Sequence, residues 1–171
     1  MQEVKGLEIS TPQIPFEHER RFVPKLDKLP FDFRDYPMSE IFQGYLEDGV
    51  GTRVRCESKK GEGHIFTRTV KTGEGVSRRE EENEITSDEF NDIWNRISCT
   101  LKKFRYFIPY NGFEVQLNIF SGTLEGYIQI EVEFASGDEA LLFQPPAWLG
   151  PEVTDDKRHG NYSLAKNGAP K

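Results

Sequence analysis

Pairs of like-charged residues that flank a single residue recur along this chain of 171 residues. The acidic members are Glu17, Glu19, Glu80, Glu82, Glu131 and Glu133. Among the basic residues, Arg53/Arg55 and Lys103/Arg105 form such pairs, Arg21 and Arg78 lie two residues from a glutamate, and Lys71 completes the set. Side chains two apart on a β-strand point to the same face of the sheet, so the spacing predicts strands with one charged face. Ile130, Val132 and Phe134 alternate with such charges, which predicts an apolar opposite face.

A half-solvated strand shows the same alternation, and this ordinary explanation fits any single segment. The repeated Glu-x-Glu pairs are harder to explain in this way, because like charges on one face repel unless a cation lies between them. Carboxylate oxygens suit Mg²⁺ or Mn²⁺, and pairs of Arg and Lys suit phosphate. With two divalent cations, the whole set would balance a triphosphate of about −4 to −5.

Length and composition narrow the class of protein. A chain of 19.7 kDa predicts one compact domain, preceded by a loose leader at residues 1–15. The net charge of −7 argues against a general binder of nucleic acid or anionic membranes. Two cysteines without metal spacing, no signal-like N-terminus and no membrane-length apolar run favour a cytoplasmic protein. We expect a small-molecule partner and a monomer or homodimer.

Consecutive strands joined by short glycine-containing turns predict antiparallel hairpins. The predicted strands lie near residues 16–23, 41–47, 52–57, 64–71, 76–85, 101–109, 113–121 and 126–134. Capping-box patterns at Thr86 and Ser136 each predict a helix, and a third, short helix is expected near the C-terminus. About eight strands of this kind form either open sheets or a closed barrel.

Several short segments occur in an order that is specific to one family. They are EHERR at 17–21, QGYL at 43–46, RVR at 53–55, TVK at 69–71, RREEE at 78–82, KFRY at 103–106, EVEF at 131–134 and PPAWLGPEVTDDKRHGN at 145–161. With these segments the chain, over residues 16–166, resembles the CYTH domain, or triphosphate tunnel metalloenzyme, superfamily.

This resemblance implies an α+β fold, mainly antiparallel β, in which eight strands close into a tunnel barrel with helices packed outside. It implies a metal-dependent phosphohydrolase that needs Mg²⁺ or Mn²⁺ and cleaves inorganic triphosphate or a related organic triphosphate. The six glutamates above would be the metal ligands and the seven bases would bind phosphate. The catalytic residues carried over are Arg21, Tyr45, Glu80 and Glu82.

Three departures from the family pattern bear on activity. Arg21 stands in place of a lysine that pairs with the tyrosine of QGYL in some members, Asn118 in place of an aspartate, and Phe42 where arginine is common. Because Arg21 and Asn118 remove a group that exchanges protons and an anionic group, they favour the alternative of a non-catalytic polyphosphate- or nucleotide-binding module. An adenylate cyclase or thiamine triphosphatase of the same fold is a further alternative.

Overall fold

The computed structural model describes residues 18–48, 51–72 and 79–171, with the backbone alone for Lys71, Thr72 and Arg79. The predicted leader and the candidate residues Glu17 and Arg78 lie outside the described residues. The strands are β1 (His18–Phe22), β2 (Met38–Tyr45), β3 (Arg53–Lys59), β4 (His64–Thr72), β5 (Arg79–Glu84), β6 (Cys99–Tyr110), β7 (Phe113–Ser121) and β8 (Ile128–Phe134). The helices are α1 (Ser87–Trp94), α2 (Gly137–Leu142) and α3 (Asn161–Asn167).

All eight strands belong to one antiparallel sheet in the order β1-β8-β7-β6-β2-β3-β4-β5. The predicted eight-stranded antiparallel architecture is therefore confirmed. Within the described residues no ladder joins β5 to β1, so the closure of the sheet into a barrel stays a prediction. We call the face that bears Arg55, Lys103 and Glu131 the polar face, and the opposite one the apolar face.

The C-terminal segment covers the free edge of β1. The backbone N–H of Val23 donates to the carbonyl of Pro151 at 2.9 Å, and that of Val153 donates to the carbonyl of Arg21 at 2.8 Å. Phe22 and Glu152 form an antiparallel bridge between these two bonds. Residues 151–154 therefore extend the sheet past β1, and β5 cannot pair directly with that part of the edge.

The main core lies on the apolar face, where strand residues pack against α2 and the C-terminal segment. Its buried members are Phe22, Ile108, Val115, Leu117, Ile130, Val132, Phe134, Phe143 and Leu149. The alternation along IQIEVEF places Ile130, Val132 and Phe134 here, as predicted. Burial of a side chain of this size contributes roughly 1.5–3 kcal/mol, so this cluster holds the sheet in shape.

Helix α1 covers the same face over β3 and β4. Its capping box is present, since Oγ1 of Thr86 accepts from the N–H of Glu89 and the Glu89 carboxylate accepts from the N–H of Thr86. Phe90 and Ile93 pack on Val54. A Cβ on Gly44 of β2 would lie 2.8 Å from Cδ1 of Ile97 and 3.0 Å from Cζ3 of Trp94, so a side chain at this position would force Ile97 and Trp94 to shift.

The prediction that the helices pack outside the barrel does not hold for helix α3, which packs against the polar face of the sheet. Its Leu164 is buried with Tyr45, Leu101 and Phe120, which by strand alternation lie at one end of the polar face. These side chains are apolar or aromatic where the rest of the face is charged, and so they provide a partner for Leu164. None of the described helices is long or apolar enough to cross a lipid bilayer.

Candidate active site

The polar face collects the candidate residues whose side chains the structure describes. In the ladders Arg21 lies opposite Glu131, and Tyr45 lies opposite Arg53. Thr69 of β4 lies between Arg53 of β3 and Glu82 of β5 and is paired with both. By register the shared face holds Glu19, Arg21, Tyr45, Arg53, Arg55, Glu80, Glu82, Lys103, Arg105, Glu131 and Glu133. Lys71 occupies the backbone position opposite Glu80.

Arg55 is held by Gln43 of the neighbouring strand. Nε of Arg55 donates to Oε1 of Gln43 at 3.0 Å, and Nε2 of Gln43 donates to the hydroxyl oxygen of Tyr45. Burial lowers the pKa of Arg55, and the cations Arg53 and Arg105 lower it further. Burial also raises the pKa of Tyr45 to about 12, so its hydroxyl is protonated near neutral pH.

Arg53 is held by residues of β4 and β5, whereas Arg55 is held by a residue of β2. One terminal nitrogen of Arg53 donates to Oγ1 of Thr69 at 3.0 Å and lies 3.2 Å from Oε2 of Glu82. Thr69 in turn donates to the same Glu82 oxygen at 2.8 Å. Thr69 is buried, whereas Glu82 is exposed. The arrangement joins a candidate phosphate ligand to a candidate water- or metal-binding carboxylate.

A buried charge cluster lies on β6, β7 and β8. Arg105 donates through Nη2 to Glu131 and through Nε to Oδ1 of Asn118 at 2.9 Å, while Nζ of Lys103 lies 3.7 Å from Glu131. Burial lowers the pKa of Lys103 to about 7, although Glu131 opposes this. Burial raises the pKa of Glu131, but Lys103, Arg105 and Arg55 outweigh it and hold that pKa at about 2. Glu131 is therefore an anion surrounded by cations.

The other end of the polar face is formed by β1 and β8. Glu19 lies opposite Glu133 in the ladder, and Nε of Arg21 lies 3.1 Å from Glu19. Nη2 of Arg21 donates to the carbonyl of Thr154 at 3.4 Å. No hydrogen bond joins Arg21 and Tyr45 in the described part of the chain, so the lysine–tyrosine pairing of some family members has no counterpart here.

Unpartnered polar atoms cluster on this same face. Within the described residues, the buried side-chain atoms on this face that make neither a hydrogen bond nor an ion pair are Ser39 Oγ, Arg53 Nε, Thr67 Oγ1, Gln116 Oε1 and Gln129 Oε1. Ser121 Oγ is also unpartnered, at an apolar-face register position. A buried polar atom without a partner costs roughly 1–3 kcal/mol, so the face is suited to a polar ligand or water.

Sequence reasoning missed several neutral side chains of the site. Gln43 and Thr69 share the period-two spacing of Tyr45 and Lys71, and this spacing was the available signal. Asn161 gave no such signal, because it comes from a segment far along the chain. It lies 3.5 Å from both Lys103 Nζ and Glu131 Oε1.

The chemistry of the polar face is that of a polyanion site. It brings cations from β1, β3 and β6 to one surface. Arg105 and Glu131 both influence the pKa of Arg55, which Arg105 lowers and Glu131 raises. Carboxylates lie at its margins, where Glu82 and Glu133 are exposed. The fold and this site together are those of a class of protein suited to a compact, highly charged anion.

Comparison with known proteins gives the family. No family model matches the chain. The chain is 37% identical to an inorganic triphosphatase of Nitrosomonas europaea over 129 residues, 72% of this chain and 82% of that protein. It is 36% identical to an inorganic triphosphatase of Acetivibrio thermocellus over 128 residues, 73% of this chain and 79% of that protein.

A solved structure supports the same assignment. The crystal structure of an inorganic triphosphatase matches with a TM-score of 0.63 and 30% identity, over 91% of this chain and 97% of that one. The chain belongs to the inorganic triphosphatase family with the CYTH, or triphosphate tunnel metalloenzyme, domain.

Proposed function

We propose that this protein hydrolyses inorganic triphosphate at a terminal phosphoryl group, with Mg²⁺ or Mn²⁺. The observation that carries the proposal is the shielded positive charge of the polar face. Lys103 and Arg105 are buried and Arg53 and Arg55 half-buried in the described part of that face, where Glu131 is the buried carboxylate and Glu19, Glu57 and Glu80 are half-buried. Shielded cations in this number are costly unless a polyanion neutralises them. The relatives named inorganic triphosphatases support the same substrate.

The arginines and lysines bind the phosphate oxygens. The guanidinium groups of Arg53 and Arg55 are oriented by Thr69 and Gln43, which favours paired hydrogen bonds to one phosphate. Lys103, Arg105 and Arg21 supply further positive charge from β6 and β1. We assign the same role to Lys71 and Arg78 from their motifs alone.

The family implies a divalent cation, and the residues present fit one that is shared with the substrate. Glu19 and Glu133 lie opposite each other at one end of the face. Glu133 makes no hydrogen bond or ion pair in the described part of the chain, and Gln116 has an unpartnered carbonyl oxygen. Within that part, no group of three or more His, Cys, Asp or Glu side chains is placed to hold a metal. Mg²⁺ is commonly held by one or two carboxylates plus substrate phosphates, and Glu17 would add a third.

When bound, such a cation neutralises phosphate charge and orients the phosphoryl oxygens. Water attack then needs positioning more than a covalent nucleophile. Glu82 is suited to hold the attacking water, because Thr69 and Arg53 engage Oε2 and leave Oε1 as an acceptor. Glu80 lies on the same face and supports this role, and Tyr45 supplies an O–H donor rather than a base.

We infer that the sheet curves around the triphosphate as a tunnel. The hydrogen bond from Arg105 of β6 to Glu131 of β8, across the intervening strand β7, supports the curvature. Because residues 151–154 occupy the edge of β1, the C-terminal segment forms part of the wall on that side.

Phosphate release tests the proposal. We expect turnover of inorganic triphosphate with Mg²⁺ or Mn²⁺, and much slower turnover of ATP, thiamine triphosphate and pyrophosphate. Binding of triphosphate without release under either metal would overturn hydrolysis and restore the binding-module alternative. Preference for ATP with cyclic product would indicate a cyclase. The relatives at 36% and 37% identity favour neither alternative.

A further inference from the structure

Gln43 joins a candidate phosphate ligand to a candidate catalytic hydroxyl. It lies in β2 between Arg55 of β3 and Tyr45, two residues further along its own strand. Its side chain is fully buried, and each end of its amide makes one hydrogen bond, to Arg55 at 3.0 Å and to Tyr45. The amide is therefore fixed at both ends.

The chemistry of the neighbours sets the direction of these bonds. A guanidinium group only donates, so Nε of Arg55 must face the amide oxygen of Gln43. The amide nitrogen then faces Tyr45, whose hydroxyl oxygen must accept. The tyrosine O–H proton is thereby left free to donate to a further group.

The bond to Gln43 also leaves the two terminal nitrogens of Arg55 available to donate to another group. In the described part of the chain, Gln43 is the hydrogen-bond partner of Arg55, and it uses Nε. The two terminal nitrogens remain for a phosphate, and a guanidinium group binds phosphate best through two parallel bonds. An Arg side chain without the Gln43 acceptor has more rotamers to lose when it binds.

We propose that Gln43 is a positioning residue that aims the terminal nitrogens of Arg55 at a phosphate of the substrate and directs the Tyr45 O–H toward the same anion. This inference rests on the proposed function, because it assigns roles at the proposed triphosphate site. Gln43 itself need not touch the substrate, since both ends of its amide are engaged.

The main test variant is Gln43→Met, which keeps the length of the side chain and removes both hydrogen bonds. We expect KM for inorganic triphosphate to rise roughly 10-fold, because the guanidinium group of Arg55 is no longer oriented. We expect kcat to fall roughly 5-fold, because the hydroxyl of Tyr45 is no longer oriented. Gln43→Asn, which is too short to span both partners, should act in the same direction if Gln43→Met folds poorly.

Ile41→Val is the matched control. Ile41 is fully buried on the same face of β2 but makes neither contact, so its variant loses core packing alone. We expect it to lower Tm while leaving KM and kcat within about 2-fold of the wild type.

Double-mutant cycles separate positioning from a structural role. In an Arg55→Ala background, Gln43→Met should no longer change KM, and in a Tyr45→Phe background it should no longer change kcat. The inference would be overturned if Gln43→Met changed KM and kcat by the same factors in both backgrounds as in the wild type. It would also be overturned if Gln43→Met had the KM and kcat of the wild type. If the wild type binds triphosphate without turnover, the proposed function fails. The Arg55 cycle measured on triphosphate Kd then still decides the positioning role.

Discussion

Glu19 of β1 and Glu133 of β8 lie directly opposite each other in the antiparallel ladder, on the polar face. Opposed carboxylates repel, and a cation between them removes the repulsion. Arg21 pairs with Glu19 at 3.1 Å, whereas Glu133 is exposed. This end of the face is therefore where we expect the divalent cation.

Glu133→Gln should weaken Mg²⁺ or Mn²⁺ binding about 10-fold or more, because an anionic oxygen ligand becomes a neutral one. Calorimetric titration of metal in the presence of triphosphate measures the effect. Glu125→Gln is a suitable control, since Glu125 is an exposed carboxylate in the β7–β8 connection. Equal metal affinity in the wild type and in Glu133→Gln would remove Glu133 from the ligand set.

Strand identity and face were predictable because they depend on local periodicity. The alternation of IQIEVEF determines which side of β8 is buried, and the Asn111-Gly112 turn adopts the positive φ values, 48° and 83°, that a tight hairpin needs. The capping box at Thr86 is likewise a local signal. The shared face of the charged residues followed from the same alternation.

The contacts that orient the site were not predictable from periodicity. Gln43 and Thr69 are neutral, and their roles depend on which strand lies beside them. The order of β2, β3 and β4 follows from consecutive hairpins, but the register that sets Gln43 opposite Arg55 and Thr69 opposite Arg53 is not encoded by the alternation. The position of α3 over the polar face depends on Leu164 meeting Tyr45, a contact between residues far apart in sequence.

Thr69→Val should disconnect Arg53 from Glu82 while preserving the shape of the side chain. The hydroxyl accepts from Arg53 and donates to Glu82, so its loss frees both groups. We expect KM for triphosphate to rise roughly 5- to 10-fold, which corresponds to a hydrogen bond of about 1–1.5 kcal/mol. Thr100→Val, at an exposed β6 position, should leave KM unchanged. If steady-state kinetics show the same KM for both variants, Thr69 does not orient Arg53.

Asn118→Asp tests the departure from the family pattern. Oδ1 of Asn118 accepts from Arg105, while its Nδ2 donates to the carbonyl of Gln116 at 3.3 Å. An aspartate keeps the first bond but sets a carboxylate oxygen against that carbonyl. We expect the metal-free variant to lose about 1–3 kcal/mol of unfolding free energy. Denaturant titration would contradict this if the variant were as stable as the wild type.

The same variant decides whether Asn118 attenuates activity. If the position adjoins the bound cation, Asn118→Asp should raise turnover and recover stability when Mn²⁺ is added. Turnover that falls at every metal concentration would contradict attenuation by Asn118. Arg105→Lys provides a comparison, because it keeps the charge but loses the Nε bond to Asn118.

His159 should make the stability of the C-terminal segment depend on pH. Nδ1 of His159 lies 2.6 Å from the hydroxyl of Tyr127. Burial lowers the pKa of His159, and the cations Arg158 and Arg21 lower it further, although Asp156 opposes them. The folded state therefore binds fewer protons than the unfolded state at pH values between the lowered pKa and about 6.5, the ordinary value for histidine. Unfolding free energy should rise with pH through that window and lose this gain on acidification.

His159→Gln replaces the titrating ring with a neutral amide, so the difference in unfolding free energy between wild type and variant isolates the effect. Denaturant midpoints measured from about pH 5 to about pH 7.5 should show the wild type gaining on the variant as pH rises, and a constant difference above that window. If the difference in unfolding free energy stays constant over the whole pH range, or shrinks as pH rises, folding does not lower the pKa of His159. Since residues 151–154 complete the edge of β1 and Asn161 contacts Lys103 and Glu131, acidification should also loosen the wall of the site.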